Sequence, residues 1–197
     1  MQAKILPLQD SPVFRRNLAA ILRSGKAVMM PTDTIYGLSC RADKAAAVAK
    51  IFSLKERDKN KPLLVLVSSL SMAKRFCRIN RLQAEALKNI WKQARPTSVL
   101  LLHRGLLPAN LTAGSPYLAV RLPKSIFLRK IVRALGSPLV SSSANLSGRE
   151  VLDARRASEV FAGKKELALI ISGGTDKKAA SRLLLMEADG SYKILRR

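Results

Sequence analysis

Residues 27–38 read Ala-Val-Met-Met-Pro-Thr-Asp-Thr-Ile-Tyr-Gly-Leu, a short apolar run followed by a polar turn. The four apolar residues predict a buried strand, and the proline at position 31 fixes the turn that follows. Residues 139–148 have the same order, Leu-Val-Ser-Ser-Ser-Ala-Asn-Leu-Ser-Gly. Each stretch puts hydroxyl groups where an apolar strand ends, which is where open α/β sheets bind ligands. The two stretches therefore predict a strand-based fold with a site for a phosphate-bearing ligand.

The apolar pattern of the rest of the chain predicts helices that alternate with strands. The expected helices cover residues 14–22, 43–55, 68–76, 82–91, 127–135 and 157–161. We expect Asp43 to be the N-cap of the second helix. The expected strands cover residues 27–30, 63–67, 99–102, 118–122, 139–140 and 168–172, followed by a hairpin of residues 183–187 and 192–195. This alternation predicts an α/β fold, and the hairpin favours a single domain over residues 1–197 with a twisted mixed sheet flanked by helices.

The charge of the chain is strongly positive, since 36 lysines and arginines against 13 acids give a net charge of +23. Residues 74–104 hold eight cations and one acid, Glu85. A field of this strength attracts polyanions and weakens with salt, so nucleic acid is an expected partner. The alternative is a basic proteome in which the charge serves solubility. Aromatic residues are only 5% of the chain, which argues against a platform for stacking single strands.

The composition argues against several classes of protein. The longest apolar runs have five residues, whereas a membrane-spanning helix needs about 20. The first residues hold no apolar signal core, so we expect a cytoplasmic protein without a membrane partner. Cys40 and Cys77 are too few for a metal site or a disulfide framework and are expected to be buried free thiols. His103 is the only histidine and no nucleophile-elbow motif accompanies it, so it receives no catalytic role.

Three cations, Lys55, Arg57 and Lys61, lie within seven residues at the end of a predicted helix. Arginine binds phosphate in a bidentate manner and lysine acts as a point charge, so the three could clamp a triphosphate. The alternative is ordinary charge at a helix C-terminus, which interacts with the helix dipole.

The serine-rich stretch offers neutral polar groups beside these cations. The hydroxyls of residues 141–143 and the amide of Asn145 can donate to or accept from a phosphate or a base edge. The alternative is a turn that caps the next helix. No glycine-rich loop of the P-loop or dinucleotide type occurs, which argues against those two kinds of nucleotide site.

Four motifs occur in order along the chain: residues 31–38, Lys55-x-Arg57 with Lys61-Pro62-Leu63, Ala119-Val120-Arg121, and Ser143-Ala144-Asn145 with Leu146-Ser147-Gly148. In this combination the chain resembles the YrdC/TsaC family of threonylcarbamoyl-AMP synthases over residues 14–197. The resemblance implies a twisted α/β sheet with a large electropositive concavity. It also implies a nucleotidyltransferase that makes threonylcarbamoyl-adenylate and pyrophosphate from L-threonine, bicarbonate and ATP, with Mg2+ expected beside the ATP. A separate tRNA threonylcarbamoyl transferase complex is the implied downstream partner.

The resemblance implies binding roles for ten residues, seven of them in the four motifs and three, Ser141, Ser181 and Arg196, at other matching positions. The implied ATP-binding residues are Lys55, Arg57, Lys61, Ser143, Asn145 and Arg196. The implied threonine-binding residues are Thr34, Arg121, Ser141 and Ser181. Among the latter, Arg121 is expected to pair with the carboxylate of threonine. No general base and no metal ligand from the protein are assigned.

The chain departs from the family pattern at Leu66, at residues 94–98 and at residues 179–182. Leu66 replaces a polar residue near the implied threonine site, which could cost about 0.5–1.5 kcal/mol of binding. These departures and the net charge favour an alternative function, a paralogue without the chemistry that binds tRNA or double-stranded RNA on its basic surface. A third alternative is a nucleotide-binding domain with another acceptor. We expect the C-terminal domain of longer relatives to be absent.

Overall fold

The computed structural model describes residues 3–150, 153–173 and 179–197. These residues contain ten strands and seven helices. The strands are β1 (Lys4–Pro7), β2 (Ala27–Met30), β3 (Gly37–Arg41), β4 (Leu64–Leu66), β5 (Thr97–Leu102), β6 (Tyr117–Arg121), β7 (Leu139–Ser143), β8 (Leu167–Ser172), β9 (Arg182–Met186) and β10 (Tyr192–Arg196). The helices are α1 (Pro12–Arg23), α2 (Ala45–Lys55), α3 (Leu70–Phe76), α4 (Arg81–Lys92), α5 (Ala109–Thr112), α6 (Ile126–Leu135) and α7 (Ala154–Phe161).

The strands form one sheet in the order β1-β8-β2-β3-β7-β4-β6-β5-β9-β10. Four neighbouring pairs are parallel: β1 with β8, β8 with β2, β4 with β6, and β5 with β9. The other pairs are antiparallel, and β9 with β10 is the predicted hairpin. The α/β fold with a mixed sheet is therefore confirmed. That residues 1–197 form a single domain stays a prediction.

Helices α1 and α6 begin and end where the sequence provides caps. The hydroxyl of Ser11 accepts a hydrogen bond from the backbone N–H of Phe14 at 3.1 Å, and Pro12 follows at the start of α1. Ser125 caps α6 in the same way, and α6 ends at Gly136 with φ of 73°, in the left-handed region that suits glycine. These local signals fix the two helices that pack on the smaller apolar cluster of the sheet.

Some expectations about local structure were wrong. Helix α2 begins at Ala45 with Lys44 at the N-cap position, and Asp43 does not cap it. The carboxylate of Asp43 instead accepts a hydrogen bond from the Arg41 guanidinium at 2.7 Å. The sequence pattern also missed β1, β3 and α5. Strand β3 reads Gly-Leu-Ser-Cys-Arg and lacks the apolar run on which the prediction relied.

The two faces of the sheet carry separate apolar clusters, because side chains alternate along each strand. In β2, Ala27 and Met29 belong to the larger cluster, and Val28 and Met30 belong to the smaller one. The larger cluster packs against α2, α3, α4, α5 and α7. The smaller cluster packs against α1 and α6, which cover only part of their face. Of the helices in the described ranges, none combines the length and the apolar character needed to cross a membrane.

Candidate functional site: a cavity on the uncovered part of the sheet

Strand β7 crosses the boundary between the covered and the uncovered part of one sheet face. Leu139 lies in the apolar cluster beneath α6, whereas Ser141 and Ser143, on the same side of the strand, line a cavity of about 530 Å³. Because alternate residues of a strand share a face, the change from leucine to serine along β7 decides where the helical cover stops. The predicted pair of polar stretches therefore meets at a real cavity.

The floor of the cavity consists of two rows of side chains that run across the strands. Ser98 of β5 pairs directly with Arg121 of β6 and with Leu183 of β9. Leu100 of β5 pairs with Ala119 of β6 in the next row. Direct partners in a sheet point to the same face. The cavity thus offers a row that carries Ser98 and Arg121 beside a row formed by Leu100 and Ala119.

Eight of the ten residues with implied binding roles lie on the wall of this cavity. They are Thr34, Arg57, Lys61, Arg121, Ser141, Ser143, Ser181 and Arg196. Ser142, a candidate only as part of the serine-rich stretch, also lies on the wall. The polar wall residues that the sequence did not predict are Ser98, Ser115 and Tyr117. For Ser98 a signal existed, since it alternates with the apolar Val99, but the strand was predicted to begin one residue too late to include it.

Arg121 is the most deeply buried cation of the wall, with 2% of its surface exposed. Its Nη1 donates to the hydroxyl of Thr34 at 3.0 Å, and its Nη2 lies 3.2 Å from Oδ1 of Asp33. Burial lowers the pKa of Arg121; the charge of Asp33 opposes this effect and that of Arg196 adds to it. Nε of Arg121 has no hydrogen-bond partner among the described residues. The guanidinium is therefore held in place by Thr34 and Asp33, and one of its N–H groups has no described partner.

The turn after β2 holds Asp33 and Thr34 in position. The hydroxyl of Thr32 donates to the backbone oxygen of Ile35 at 2.6 Å and accepts from the backbone N–H of Thr34 at 3.1 Å. Oδ2 of Asp33 accepts from the backbone N–H of Lys124 at 2.8 Å. Thr32 and Asp33 carry no assigned binding role. Their part in the site is to orient Thr34 and Arg121, which do carry one.

Arg57 and Lys61 approach the cavity from the end of α2. Glu56, with φ of 50°, ends the helix in the left-handed region and turns the chain toward the cavity. Nε of Arg57 donates to the backbone oxygen of Lys61 at 3.2 Å, and Nη2 donates to that of Pro62 at 3.0 Å. Partial burial lowers the pKa of Arg57. These two hydrogen bonds hold the loop of residues 57–62 in one conformation. They also keep the guanidinium of Arg57 on the wall as a fixed positive charge.

Ser181 and Arg196 form the opposite wall. The hydroxyl of Ser181 lies 2.8 Å from that of Ser98, and both serines are buried. Nε and Nη2 of Arg196 donate to the backbone oxygen of Ser181 at 3.2 and 2.9 Å. This contact fixes the arginine of β10 against the chain that leads into β9. The hydroxyl pair can accept from one polar group of a ligand and donate to another.

Lys55 and Asn145, the other two residues with implied roles, do not line the cavity. Lys55 is 1% exposed and Asn145 is 7% exposed. Nζ of Lys55 donates to the backbone oxygens of Ser143 and Asn145, the latter at 2.7 Å. Both side chains lie behind the wall that Ser143 forms. Their direct contact with ATP stays a prediction.

The described wall of the cavity holds four cations and no carboxylate. Within the same part of the chain, no group of three or more histidines, cysteines or acids could hold a metal ion. Guanidinium groups suit carboxylates and phosphates, and hydroxyls add neutral hydrogen bonds. The fold and the site thus define a class of protein: a mixed α/β sheet with a cavity for anionic ligands on one partly uncovered face.

Comparison with known proteins gives the family. The Sua5/YciO/YrdC family model, described as telomere recombination, matches residues 20–197, so the chain belongs to this family. This confirms the resemblance drawn from the four motifs.

Curated relatives and solved structures agree with this assignment. A threonylcarbamoyl-AMP synthase of Rattus norvegicus is 29% identical over 189 residues, which cover 92% of this chain but only 65% of the relative. One of Alkalilimnicola ehrlichii is 34% identical over 179 residues, covering 88% of this chain and 92% of the relative. The crystal structure of P. abyssi Sua5 complexed with L-threonine matches with a TM-score of 0.86 and 27% identity, over 100% of this chain and 57% of that one. The chain therefore spans less than two thirds of the rat relative.

Proposed function

We propose that the chain is a threonylcarbamoyl-AMP synthase, a nucleotidyltransferase that makes threonylcarbamoyl-adenylate and pyrophosphate from L-threonine, bicarbonate and ATP. The observation that carries this proposal is that residues from both sets, threonine-binding and ATP-binding, line one cavity of about 530 Å³. The names of the relatives and the fold match to a threonine complex support it. The reaction uses ATP and its product serves the modification of tRNA. We therefore propose that it takes place in the cytoplasm.

L-Threonine would bind at the end of the cavity around Arg121. A guanidinium with a free donor pairs with a carboxylate, and the buried position of Arg121 strengthens that pairing. Thr34, Ser141 and Ser181 would supply hydroxyl partners at the same end. Leu66 is fully buried in the apolar cluster and does not line the described cavity, so the amino-acid preference needs a direct test.

ATP would bind on the side of Arg57 and Lys61. These two cations and Arg196 would neutralise the triphosphate, and Ser143 would donate a hydroxyl hydrogen bond. Since the described wall holds no carboxylate, it does not suit a resident metal ion, and Mg2+ would enter with ATP as part of the substrate.

The chemistry needs positioning and charge neutralisation more than proton transfer. The amine of threonine and bicarbonate give a carbamate and water. A carbamate oxygen then attacks the α-phosphorus of ATP, the new oxygen–phosphorus bond forms, and pyrophosphate leaves. Both reactants are anions, so fixed cations on the wall lower their mutual repulsion and stabilise the charge that develops. No residue of the described wall is assigned as a general base.

The test is pyrophosphate release from ATP and bicarbonate, with L-threonine, with other amino acids, or with none. We expect release that depends on L-threonine. Release driven by a different amino acid would mean that the site takes another substrate.

The RNA-binding alternative is a distinct outcome of the same experiment. No release from folded protein that still binds tRNA would overturn the synthase. In that case tRNA affinity should fall steeply as salt rises, because cations on residues 74–104 would release counterions from the phosphates. A tRNA threonylcarbamoyl transferase complex is the proposed consumer of the adenylate, and its requirement can be tested by adding it with tRNA.

A further inference from the structure

The ammonium group of Lys55 is saturated by the protein itself. A lysine has three N–H donors. In this chain they have three acceptors, namely the backbone oxygen of Ser143, that of Asn145 at 2.7 Å, and Oδ1 of Asn145 at 3.2 Å. No donor is left for a phosphate oxygen. Lys55 also does not belong to the described cavity wall, whereas the equally buried Arg121 does, so a ligand in the cavity cannot reach Lys55 without moving the wall.

The backbone of Lys55 and the side chain of Asn145 complete the same network. The backbone oxygen of Lys55 accepts from the backbone N–H of Ser147 at 2.8 Å. Nδ2 of Asn145 donates to the backbone oxygens of Leu146 at 2.9 Å and Arg149 at 2.7 Å. The last residue of α2 therefore fastens the loop of residues 143–149, which we call the Ser143 loop, at several points along its length.

This arrangement is costly, which argues that it serves the site. No carboxylate of the described residues forms an ion pair with Lys55. Burial, and to a lesser extent the charge of Arg57, lowers the pKa of Lys55 to about 8. Taking a charged group out of water without a counterion opposes folding, and carbonyl dipoles offset this only in part.

We propose that Lys55 is a positioning residue, which sets Ser143 on the cavity wall by fastening the Ser143 loop to the end of α2 and does not contact ATP. The proposal rests on the proposed function. It gives the Lys55-x-Arg57 motif two separate tasks. Arg57 faces the cavity as a binding group. Lys55, at the same helix end but buried, fixes the part of the wall that Ser143 forms.

Chemical labelling of lysine amines, followed by mass spectrometry with and without MgATP, separates the two roles. Lys61 is exposed on the same wall and serves as the internal comparison. We expect Lys61 to be modified in the free protein and protected by ATP, and Lys55 to remain unmodified in both conditions. Rapid modification of Lys55 in the free protein, with protection by ATP, would make it a direct ligand and overturn the proposal.

The variant Lys55→Met tests the positioning role through amide hydrogen exchange. We expect exchange in the Ser143 loop to become about tenfold faster or more while the rest of α2 changes little. Lys50→Met, on the same helix, is the matched control, since Nζ of Lys50 donates to the backbone oxygen of Gly25 at 2.9 Å, away from the loop. Unchanged exchange in folded Lys55→Met protein would contradict the proposal.

ATP affinity gives the functional readout. A displaced wall should weaken ATP binding by Lys55→Met about tenfold to a hundredfold, and Lys50→Met should bind as the wild type does. Faster exchange with unchanged ATP affinity would overturn the link between the loop and the site. Undetectable ATP binding by the wild-type protein would refute the proposed function, whereas the exchange experiment would still decide what Lys55 does to the loop.

Discussion

One face of the sheet has two parts that differ in almost every physical respect. Under α1 and α6, the side chains of this face are apolar and fully buried, as with Val28 and Leu139. Further along β7 and on the neighbouring strands β6 and β5, the same face has no helical cover and carries Ser141, Arg121 and Ser98 on a cavity wall. The boundary falls within single strands. Side chains alternate between the two faces along each strand in both parts of the sheet. Where the residues that point to this face are apolar they form core beneath a helix, and where they are polar they form the cavity wall.

The two parts also contribute differently to stability. The covered part removes apolar surface from water, which stabilises by about 25 cal/mol per Å². The uncovered part collects four cations on one described wall, which repel one another until an anion binds. We therefore expect substitutions in the covered part to change stability, and those in the uncovered part to change binding and catalysis.

The largest expected effect comes from breaking the covered part. Leu128 of α6 is 0% exposed, and Leu128→Ala should lower the free energy of unfolding by about 2–5 kcal/mol because a cavity remains. Leu100→Ala removes the same atoms from the half-buried wall and should cost about 1 kcal/mol or less. Urea unfolding measures both. Equal losses would mean that the two parts of the face do not differ as described.

The next effect comes from breaking the uncovered part. Arg57→Ala should reduce threonine-dependent pyrophosphate release by about a hundredfold to a thousandfold, because a fixed charge on the transition state is lost. Its Tm should change little, since its partners are two exposed carbonyl oxygens. Arg133→Ala on the exposed side of α6 is the control and should retain full activity. Wild-type activity in Arg57→Ala would remove this arginine from the site.

The smallest expected effect concerns Lys55, which lies behind the cavity wall and contacts the Ser143 loop. The folded-state pKa of Lys55 is lowered to about 8, so between about pH 8 and the ordinary lysine pKa near 10.4 the unfolded chain binds more protons than the folded one. The contribution of Lys55 to stability should therefore rise with pH across this window, by about 3 kcal/mol at most.

The measurement is the difference in unfolding free energy between wild type and Lys55→Met at several pH values. Other titrating groups cancel in this difference. A difference that stays constant from pH 8 to 10 would show that the pKa of Lys55 is not shifted by folding, and one that falls would show that it is raised. Either result would contradict the lowered pKa.

Strong local signals were enough to predict much of the fold. The apolar run of β2, the apolar pattern of α6 and the two strands of the β9–β10 hairpin are local signals, and each of these elements lies close to where the sequence predicts it. Strand β3 depends on pairing with β2 and β7 on either side, and its own residues carry no strand signal. The Asp43 cap was wrong because a nearby arginine competes for the carboxylate.

The residues of the candidate site, like the strands, were predictable only where the signal is local in the sequence. Eight of the ten residues with implied binding roles line one cavity. Many of them could be found because strand ends with hydroxyls and a helix end with cations are visible along the chain. Ser98 reaches the site only through its register against Arg121, which no single stretch of sequence reveals. The burial of Lys55 likewise depends on how the Ser143 loop folds over the end of α2.

The most direct test of the central claim, that L-threonine and ATP react in the one cavity on the uncovered face, follows labelled bicarbonate into product. Wild-type protein is incubated with labelled bicarbonate, ATP and Mg2+, with or without L-threonine, and nucleotide products are separated. We expect labelled threonylcarbamoyl-adenylate only when ATP and L-threonine are both present, and we expect its loss in Arg57→Ala but not in Arg133→Ala. Absence of label in any nucleotide product, from folded wild-type protein, would contradict it.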